Sequence, residues 1–454
     1  MGAVLTTHRP RPSTGRAADR VSRDSKLRTG LALLAWLGLV AGTHVWGARL
    51  AQRDPRIRLF AAPLAGGIHV RPWDWRLIPV LALAGLAVAV GPAVARSLPW
   101  RKLLWVSFAA AGAWAVGLAL VGGGHAIIAP LTTRWDYLRD LPLVGGPHDF
   151  VSHFTGRIDS YTTHVRGHPP GMLLILWSLA RLRLGGPGVE AALVIGGGAA
   201  AVPAVLVALR EVAGERAARS AAPFVALAPI ALWVATSPDA LFAGVGAWGA
   251  CLLVLATGRE GRRGDMLAIA GGLLLGAGAF LSYGLVLVAF VPLAVAVSRR
   301  RYRPLAIGAL AMAAVVAAFA WAGFWWLDGL RATRRIYEAG AARYRPQSYF
   351  WLGNLGALAL GLGPASAVAL ARLRGRAAWL LPGGALLAVA VADASAMSKG
   401  EVERIWLLFA VWLLAGACAL WRDPPERTAA PARAWLALNM ASALILQLVV
   451  RSPW

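Results

Sequence analysis

Apolar residues fall in long blocks along this chain, and polar residues collect in the gaps between them. The blocks recur from residue 29 almost to the last position. A helix needs about 20 apolar residues to cross the hydrocarbon core, and lipid offers the backbone no hydrogen-bond partner, so such blocks predict helices. Thirteen transmembrane helices are expected, roughly at 29–48, 77–96, 103–122, 187–209, 221–237, 241–257, 265–281, 283–298, 304–327, 350–372, 377–394, 404–421 and 433–451. The pair 265–281 and 283–298 is short and shares a break at Ser282-Tyr283-Gly284, which also fits a re-entrant pair. The segment 171–183 (GMLLILWSLARLR) is too short to cross and carries Arg181 and Arg183, so it predicts an interfacial helix. The expected fold class is an all-α polytopic membrane protein. A basic tail, 1–28, precedes one transmembrane domain, 29–454, in which 122–183 forms a large loop closed by the interfacial helix.

Composition agrees with that picture. The 454 residues are 58% hydrophobic with a mean hydropathy of +0.60, whereas soluble domains sit near 45–50% apolar. The net charge of +25 would point to nucleic acid in a soluble protein. Here the arginines cluster in short turns between apolar blocks, which is topology information, and no nucleic-acid partner is expected. Cys251 and Cys418 both sit inside apolar blocks, which excludes a disulfide framework and a cysteine zinc site. The tail holds Arg9, Arg11, Arg16, Arg20, Arg23, Lys26 and Arg28 and lacks the early apolar core of a cleavable signal.

Positive charge in short loops marks the cytoplasmic side. With the tail inside, the inner turns hold Arg96/Arg101/Lys102, Arg210/Arg216/Arg219, Arg259/Arg262/Arg263, Arg299/Arg300/Arg301/Arg303, Arg372/Arg374/Arg376 and Arg422/Arg427/Arg433. A crossing at 171–183 would turn the later clusters outward. One segment runs against the rule: 49–76 carries six Arg and falls outside.

The outer face then collects the chemistry. The large loop contains RWDYLRDLP (134–142) and GPHDFVSHFTGRIDSYTTHVRGHPPG (146–171), and so His125, His148, His153, His164 and His168 with Asp136, Asp140, Asp149 and Asp159. Shorter outer turns bring Asp239, the Asp328–Arg345 group that ends in Tyr344 and Arg345, and Lys399, Glu401, Glu403 and Arg404. A carboxylate at the membrane surface can serve as general base on a hydroxyl. Arginine and lysine at the same level can neutralise a phosphate leaving group. An apolar groove between helices can hold a lipid tail. Together these parts suit transfer of a group from a lipid phosphate.

Several residues have plainer readings too. Asp136 suits a helix cap, and His168-Pro169-Pro170-Gly171 suits a rigid helix-starting turn. His164 and His168 fit hydrogen bonds to substrate hydroxyls or a brace for the loop. His and Asp together are also compatible with a divalent metal, although no cofactor is required. The outer Arg331, Arg334 and Arg335 suit lipid headgroups. Trp135 suits sugar stacking. The glycines at 122–124 and 196–198 read as packing or hinge positions, because no Lys-Ser/Thr follows them.

On Asp136 and Asp140, the HPPG run, Ser237-Pro238-Asp239, Ser282-Tyr283-Gly284 and SKGEVERIW (398–406), the chain resembles the GT-C superfamily of membrane glycosyltransferases, from about residue 100 onward. The resemblance implies a large extracytoplasmic loop with an acidic catalytic residue, followed by an interfacial helix. It assigns the base to Asp136, with Asp140 and Asp149 as alternatives. It implies a polyprenyl-phosphate sugar as donor, a glycan or glycolipid as acceptor, and a multi-pass place in a bacterial plasma membrane with the N-terminus cytoplasmic and the site extracytoplasmic. The expected substrate-binding residues are Asp140, Asp149, His164, His168, Asp239, Tyr283, Arg345, Lys399, Glu401 and Arg404, with Lys399 and Arg404 on the phosphate. Two features depart from the family plan. The loop follows the third expected span, and Asp136 has no acidic neighbour in sequence. The rival reading is a transporter or flippase of a lipid-linked saccharide, which calls for ionisable residues inside spans and internal repeats. Glu190, near a span end, is the one candidate of that kind.

Overall fold

A computed structural model describes residues 14–235, 237–421 and 430–451. Most of the tail's first half (1–13) and Arg422 and Arg427 of the last inner turn lie outside them. Helix accounts for 79% of the chain and strand for 1%, so the all-α class holds. Among the described residues eight helices are long and apolar enough to cross a membrane: Lys26–Arg53, Leu77–Ser97, Trp100–Leu120, Pro187–Ala213, Asp239–Thr257, Arg303–Trp321, Arg376–Ala394 and Ala430–Val449. Asp239–Thr257 is the central one, 78% of its apolar window being buried, while Arg303–Trp321 is peripheral at 11%. The site below depends on that difference, because Asp239 is the first residue of the central helix.

The expected count of thirteen exceeds these eight, or nine if a bent pair is one span. In four of the five blocks concerned the helix is broken, and in the fifth it is charged at its start. The block 350–372 is two helices, Gln347–Leu362 and Pro364–Arg372, bent by 98°. Gly363 turns the chain with φ +79°, and Pro364 cannot continue the first helix's ladder. The freed Ala365 N–H is taken up by Asn439 Oδ1 of the last helix, 3.0 Å away. The block 221–237 is the helix Glu215–Ala226 followed by a 3-10 turn, Pro229–Trp233. The block 283–298 is half 3-10, and 404–421 is a run of short helices, Val402–Ile405, Leu407–Leu413 and Leu414–Ala419. Helix Gly261–Ala279 is continuous but begins with Arg262, Arg263 and Asp265. Residues 222–233 and 406–421 are almost wholly buried in protein. Backbone surrounded by protein can be irregular at membrane depth, whereas lipid-facing backbone cannot. Apolarity alone does not tell the two apart.

Two polar ends result. At one, Arg219 Nη1 donates to Ala95 O and Leu98 O, and Ser220 Oγ to Trp421 O. There Arg259 and Arg299 both reach Glu211 at 3.1 Å, Arg301 meets Glu260, and Arg303 meets Asp265. This end gathers the arginine-rich turns. At the other, Arg345 Nε donates to Ile57 O and its Nη1 to Lys399 O, Thr333 Oγ1 donates to Arg166 O, and Arg335 meets Asp159. The chain at Gly67–Ile68 pairs antiparallel with Val450–Arg451 at this same end. The acidic and histidine-bearing loops therefore share one end of the bundle.

The interfacial segment forms a helix, Gly171–Arg181, of 11 residues. It leaves from His168 and leads into Pro187–Ala213, whose Glu190 sits beside Asp136. Both ends of the segment thus lie on one face, as expected for a helix that does not cross.

A candidate active site at the loop-rich end

The loop after Trp100–Leu120 is a chain of 3-10 turns, among them Pro130–Thr132, Tyr137–Arg139 and Leu141–Leu143. Asp136 caps the second of these: its Oδ1 accepts the Tyr137 N–H at 2.7 Å. Its Oδ2 accepts from His164 Nδ1 at 3.0 Å. Capping and a chemical role thus fall on the same carboxylate. Asp136 has no exposed surface and His164 is 6% exposed. A carboxylate oxygen accepts, so His164 Nδ1 carries the shared hydrogen, and in the neutral imidazole Nε2 then presents a lone pair. The His164 N–H also donates to Trp135 O, which locks the two stretches together. Asp140 adds a second clamp, its Oδ2 accepting the Thr162 N–H at 2.6 Å. That places Asp140 as a brace of the loop.

One turn further on, His168 Nδ1 donates to His164 O at 2.8 Å, and its Nε2 lies 3.7 Å from Asp239 Oδ1. Pro169 and Pro170 then start the interfacial helix. Gly171 N–H donates to Phe280 O, and a side chain at 171 would run into that carbonyl. The close contact seats the HPPG run against the end of Gly261–Ala279. It holds His168 over the start of the central helix.

Asp239 is 1% exposed. Its Oδ2 accepts from Ser237 Oγ and from Arg404 Nη1, both at 2.6 Å. Arg404 is 5% exposed, and its Nη2 donates to Glu401 at 2.7 Å. Burial alone would lower the Arg404 pKa, but the charges of Asp239 and Glu401 outweigh it and push it up. Glu401 adopts φ +64° and Gly400 φ +90°. Asn354 holds that turn by donating to Ser398 O and accepting the Gly400 N–H. A line of buried and partly buried polar groups therefore runs from Asp136–His164 through His168 to Asp239, Arg404 and Glu401. The residues come from four separate segments.

Two residues of this cluster carried no motif in the sequence. Glu190, in the first turn of Pro187–Ala213, is fully buried, and its charge interacts with that of Asp136. Among the described residues neither of its oxygens has a hydrogen-bond partner. The second acidic residue missing beside Asp136 in sequence is supplied here through space. Tyr137 packs its ring about 6 Å from both His164 and His168. Burial, then the charges of Asp239 and Asp136, push its phenol well above the ordinary range. Only position could have pointed to Glu190, a lone acid at a span end.

The other expected residues lie apart or at the edge. Arg345 is buried between backbone carbonyls, 3.9 Å from Glu401. Lys399 Nζ reaches Ala342 O at 3.4 Å. Tyr283 is buried against Trp326, with ring centroids 5.3 Å apart. Asp149 is exposed, paired with His153 and Arg157 at 3.0 Å, and outside the buried cluster. Glu403 accepts the Ala65 N–H and is pushed up to about 7 by burial. Among the described residues no three His, Cys, Asp or Glu side chains converge to hold a metal ion, so no step is routed through one.

No family model and no curated protein matches the sequence. Solved structures are similar at low identity. ArnT from Cupriavidus metallidurans bound to undecaprenyl phosphate aligns at 17% identity and a TM-score of 0.42, over 69% of this chain and 60% of that one. The same protein in its apo state gives 18% and 0.41 over the same shares. The Archaeoglobus fulgidus oligosaccharyltransferase, in complex with Zn and sulfate, gives 16% and 0.46 over 77% and 54%. The chain thus spans a little over half the length of these proteins, and its function is argued from its own site.

Proposed function

We propose that this protein is a membrane glycosyltransferase. It moves a sugar from a polyprenyl-phosphate donor to a hydroxyl of a glycan or glycolipid acceptor, on the extracytoplasmic face of a bacterial plasma membrane. The observation that carries the reading is the Asp136–His164 pair, buried at one end of an apolar bundle beside Asp239, Arg404 and Glu401. Packing carboxylates and cations together out of water costs several kcal/mol per ion unless they are well paired, so membrane packing alone does not call for such a cluster. The arginine-rich turns at the opposite end support the sidedness.

His164 Nε2 is the group free to accept a proton, and Asp136 fixes its tautomer and stabilises the imidazolium that results. The acceptor hydroxyl gives its proton to Nε2 as its oxygen bonds the sugar's anomeric carbon. The bond from that carbon to the phosphate oxygen breaks, and its electron pair leaves on the polyprenyl phosphate. Attack opposite the leaving group inverts the anomeric centre. Lys399 meets the charge that develops on the phosphate. Arg404, already held between two carboxylates, keeps Asp239 and Glu401 in place.

A transporter would place its ionisable groups along a path at mid-depth. Here the cluster lies at one end, which favours chemistry at the surface. The test is transfer of radiolabelled sugar from polyprenyl-phosphate donors by wild type, Asp136→Asn and His164→Gln. General-base loss predicts a fall of roughly 100- to 10,000-fold for each variant. Undiminished transfer by both would remove the pair from catalysis. Substrate movement across vesicles with no transfer from any lipid donor would replace the enzyme by a carrier.

A further inference from the structure

At the same end of the bundle lies a cavity of about 560 Å³ that the reaction above leaves unused. Its walls come from residues 69–77, the Gly122–Thr133 stretch and the C-terminal Val450–Arg451 strand. His69, Arg71, Arg76, His125 and Arg451 line it, against one carboxylate, Asp74. Asp74 is committed to Arg76 at 3.3 Å. Among the described residues no ion pair joins Arg71 or Arg451 to a carboxylate. Burial and the neighbouring charge of Arg451 both work against the Arg71 cation. Arg71 is half-buried and Arg451 exposed, and an anion between these two like charges would offset their repulsion.

The backbone around the cavity is shaped to bring these heads together. Arg71 N–H donates to Leu448 O, and His69 N–H to Val449 O, which extends the Gly67–Ile68 pairing and fixes Arg71 beside the Arg451 strand. Gly122, in the wall beside Arg71, presents bare backbone, and Gly123 follows it. A Cβ on Gly122 would stand 3.2 Å from Arg71 Nη1, and one on Gly123, at φ +97°, would stand 3.3 Å from the His125 ring. These are among the glycines that the sequence offered as packing or hinge positions. They leave room for two guanidinium groups to face one space. The flanking Val70, Trp73 and Trp75 are large, apolar and at least 69% exposed, as suits a rim set at a membrane surface.

We propose that this cavity is a second anion site, which binds a phosphate group through Arg71 and Arg451. The guanidinium fork matches phosphate oxygens two at a time, which a single ammonium does not. The segment that supplies Arg71 and Arg76 belongs to the arginine-rich 49–76 stretch, whose outer placement the charge rule leaves unexplained. Binding an anion there accounts for one of its six arginines, Arg71. The cavity and the catalytic cluster are neighbours along the chain. Thr133 lines the cavity and its carbonyl accepts the Asp136 N–H. Trp233, also in the wall, precedes Ser237 by four positions. The site does not depend on the reaction assigned above, because it is read by binding.

The test uses the full chain purified in a neutral detergent, with dioleoyl phosphatidic acid as the lipid probe, phosphatidylcholine as the lipid control and inorganic phosphate as the soluble probe. Binding is measured by native mass spectrometry and by the shift of the unfolding temperature. Wild type should bind a phosphate probe and be stabilised by it. Arg71→Gln with Arg451→Gln should weaken binding by at least roughly tenfold. Arg71→Lys with Arg451→Lys, which keeps the charge and tests folding, should retain part of it. Arg262→Gln with Arg263→Gln, on the exposed surface at the opposite end, should bind as wild type does. Preference for phosphatidic acid supports a lipid-borne phosphate, and equal response to inorganic phosphate supports a soluble one. Either supports the site. No binding of any phosphate probe by wild type, or unchanged binding by the Arg71→Gln/Arg451→Gln protein, would overturn it.

Discussion

Consider replacing Arg404 by Met. The guanidinium is 5% exposed and lies 2.6 Å from Asp239 and 2.7 Å from Glu401. With charge centres about 4 Å apart and an effective dielectric of about 20, its attraction to Asp239 is about 4 kcal/mol. Asp239 retains Ser237 Oγ at 2.6 Å and His168 at 3.7 Å, so part of its charge stays compensated. Arg404→Met should therefore cost about 3–5 kcal/mol, the range for breaking a buried pair. Asp239→Asn should cost somewhat less, because Arg404 keeps Glu401. The double variant should be far less unstable than the sum of the two, with a coupling of about 2–4 kcal/mol. The assay is a double-mutant cycle on reversible unfolding in mixed micelles. Each single variant is first checked for native circular dichroism. A coupling below about 0.5 kcal/mol, the value for solvent-exposed pairs, would refute the reasoning. Asp239 and Arg404 would then not act as one buried unit, and the link between the SPDA and SKGEVER turns would fall with it.

Further outcomes follow from other parts of the fold. Glu403 has its pKa raised by burial to about 7, so the native state holds a proton that the unfolded chain releases near 4.5, the ordinary glutamate value. Its stabilising proton is in place below about pH 4.5 and lost as pH rises to about 7, a fall on the order of 3 kcal/mol. Glu403→Gln should flatten the stability profile between pH 5 and 7, and an unchanged slope on titrated unfolding would contradict this. Asn439→Leu leaves the Ala365 N–H at the 98° break without its acceptor and should cost about 1–3 kcal/mol in the same unfolding assay. Gly363→Ala places a Cβ 2.6 Å from Asn439 Oδ1 at φ +79° and should lower stability by at least about 1 kcal/mol. Neither change should alter phosphate binding at Arg71, which lies at the other break-free end of the last helix.

Hydropathy was enough to state that the chain is helical and crosses a membrane many times, and to bound eight of the crossing helices within a few residues at most ends. It also placed 171–183 on the surface, because 11 to 13 residues with two arginines cannot span. Charge was enough to group the acidic and histidine-bearing loops at one end, since the arginine-rich turns alternate with them. Both patterns are one-dimensional and report what each segment must avoid: lipid for polar groups, water for apolar ones. They do not report what surrounds a segment. The blocks 221–237, 350–372 and 404–421 look like lipid-crossing helices, yet protein surrounds much of them and lets them bend.

The candidate site shows the same division. Asp136, His164, His168, Asp239, Arg404 and Glu401 were legible as polar residues on one face, and so was the exposed Asp149. The pairing among them was not legible. Asp239 and Arg404 are 165 positions apart, and Asp136 and His164 are 28 apart. No periodicity links such positions, because their distance is set by how the central helix packs against its neighbours. Packing alone separates Asp149, which faces solvent, from Asp136, which is buried. It also brings Glu190 from the start of another helix to the place where the sequence beside Asp136 is bare. Solvation preferences thus fixed which residues belong at which end, and close packing of the bundle decided which of them meet.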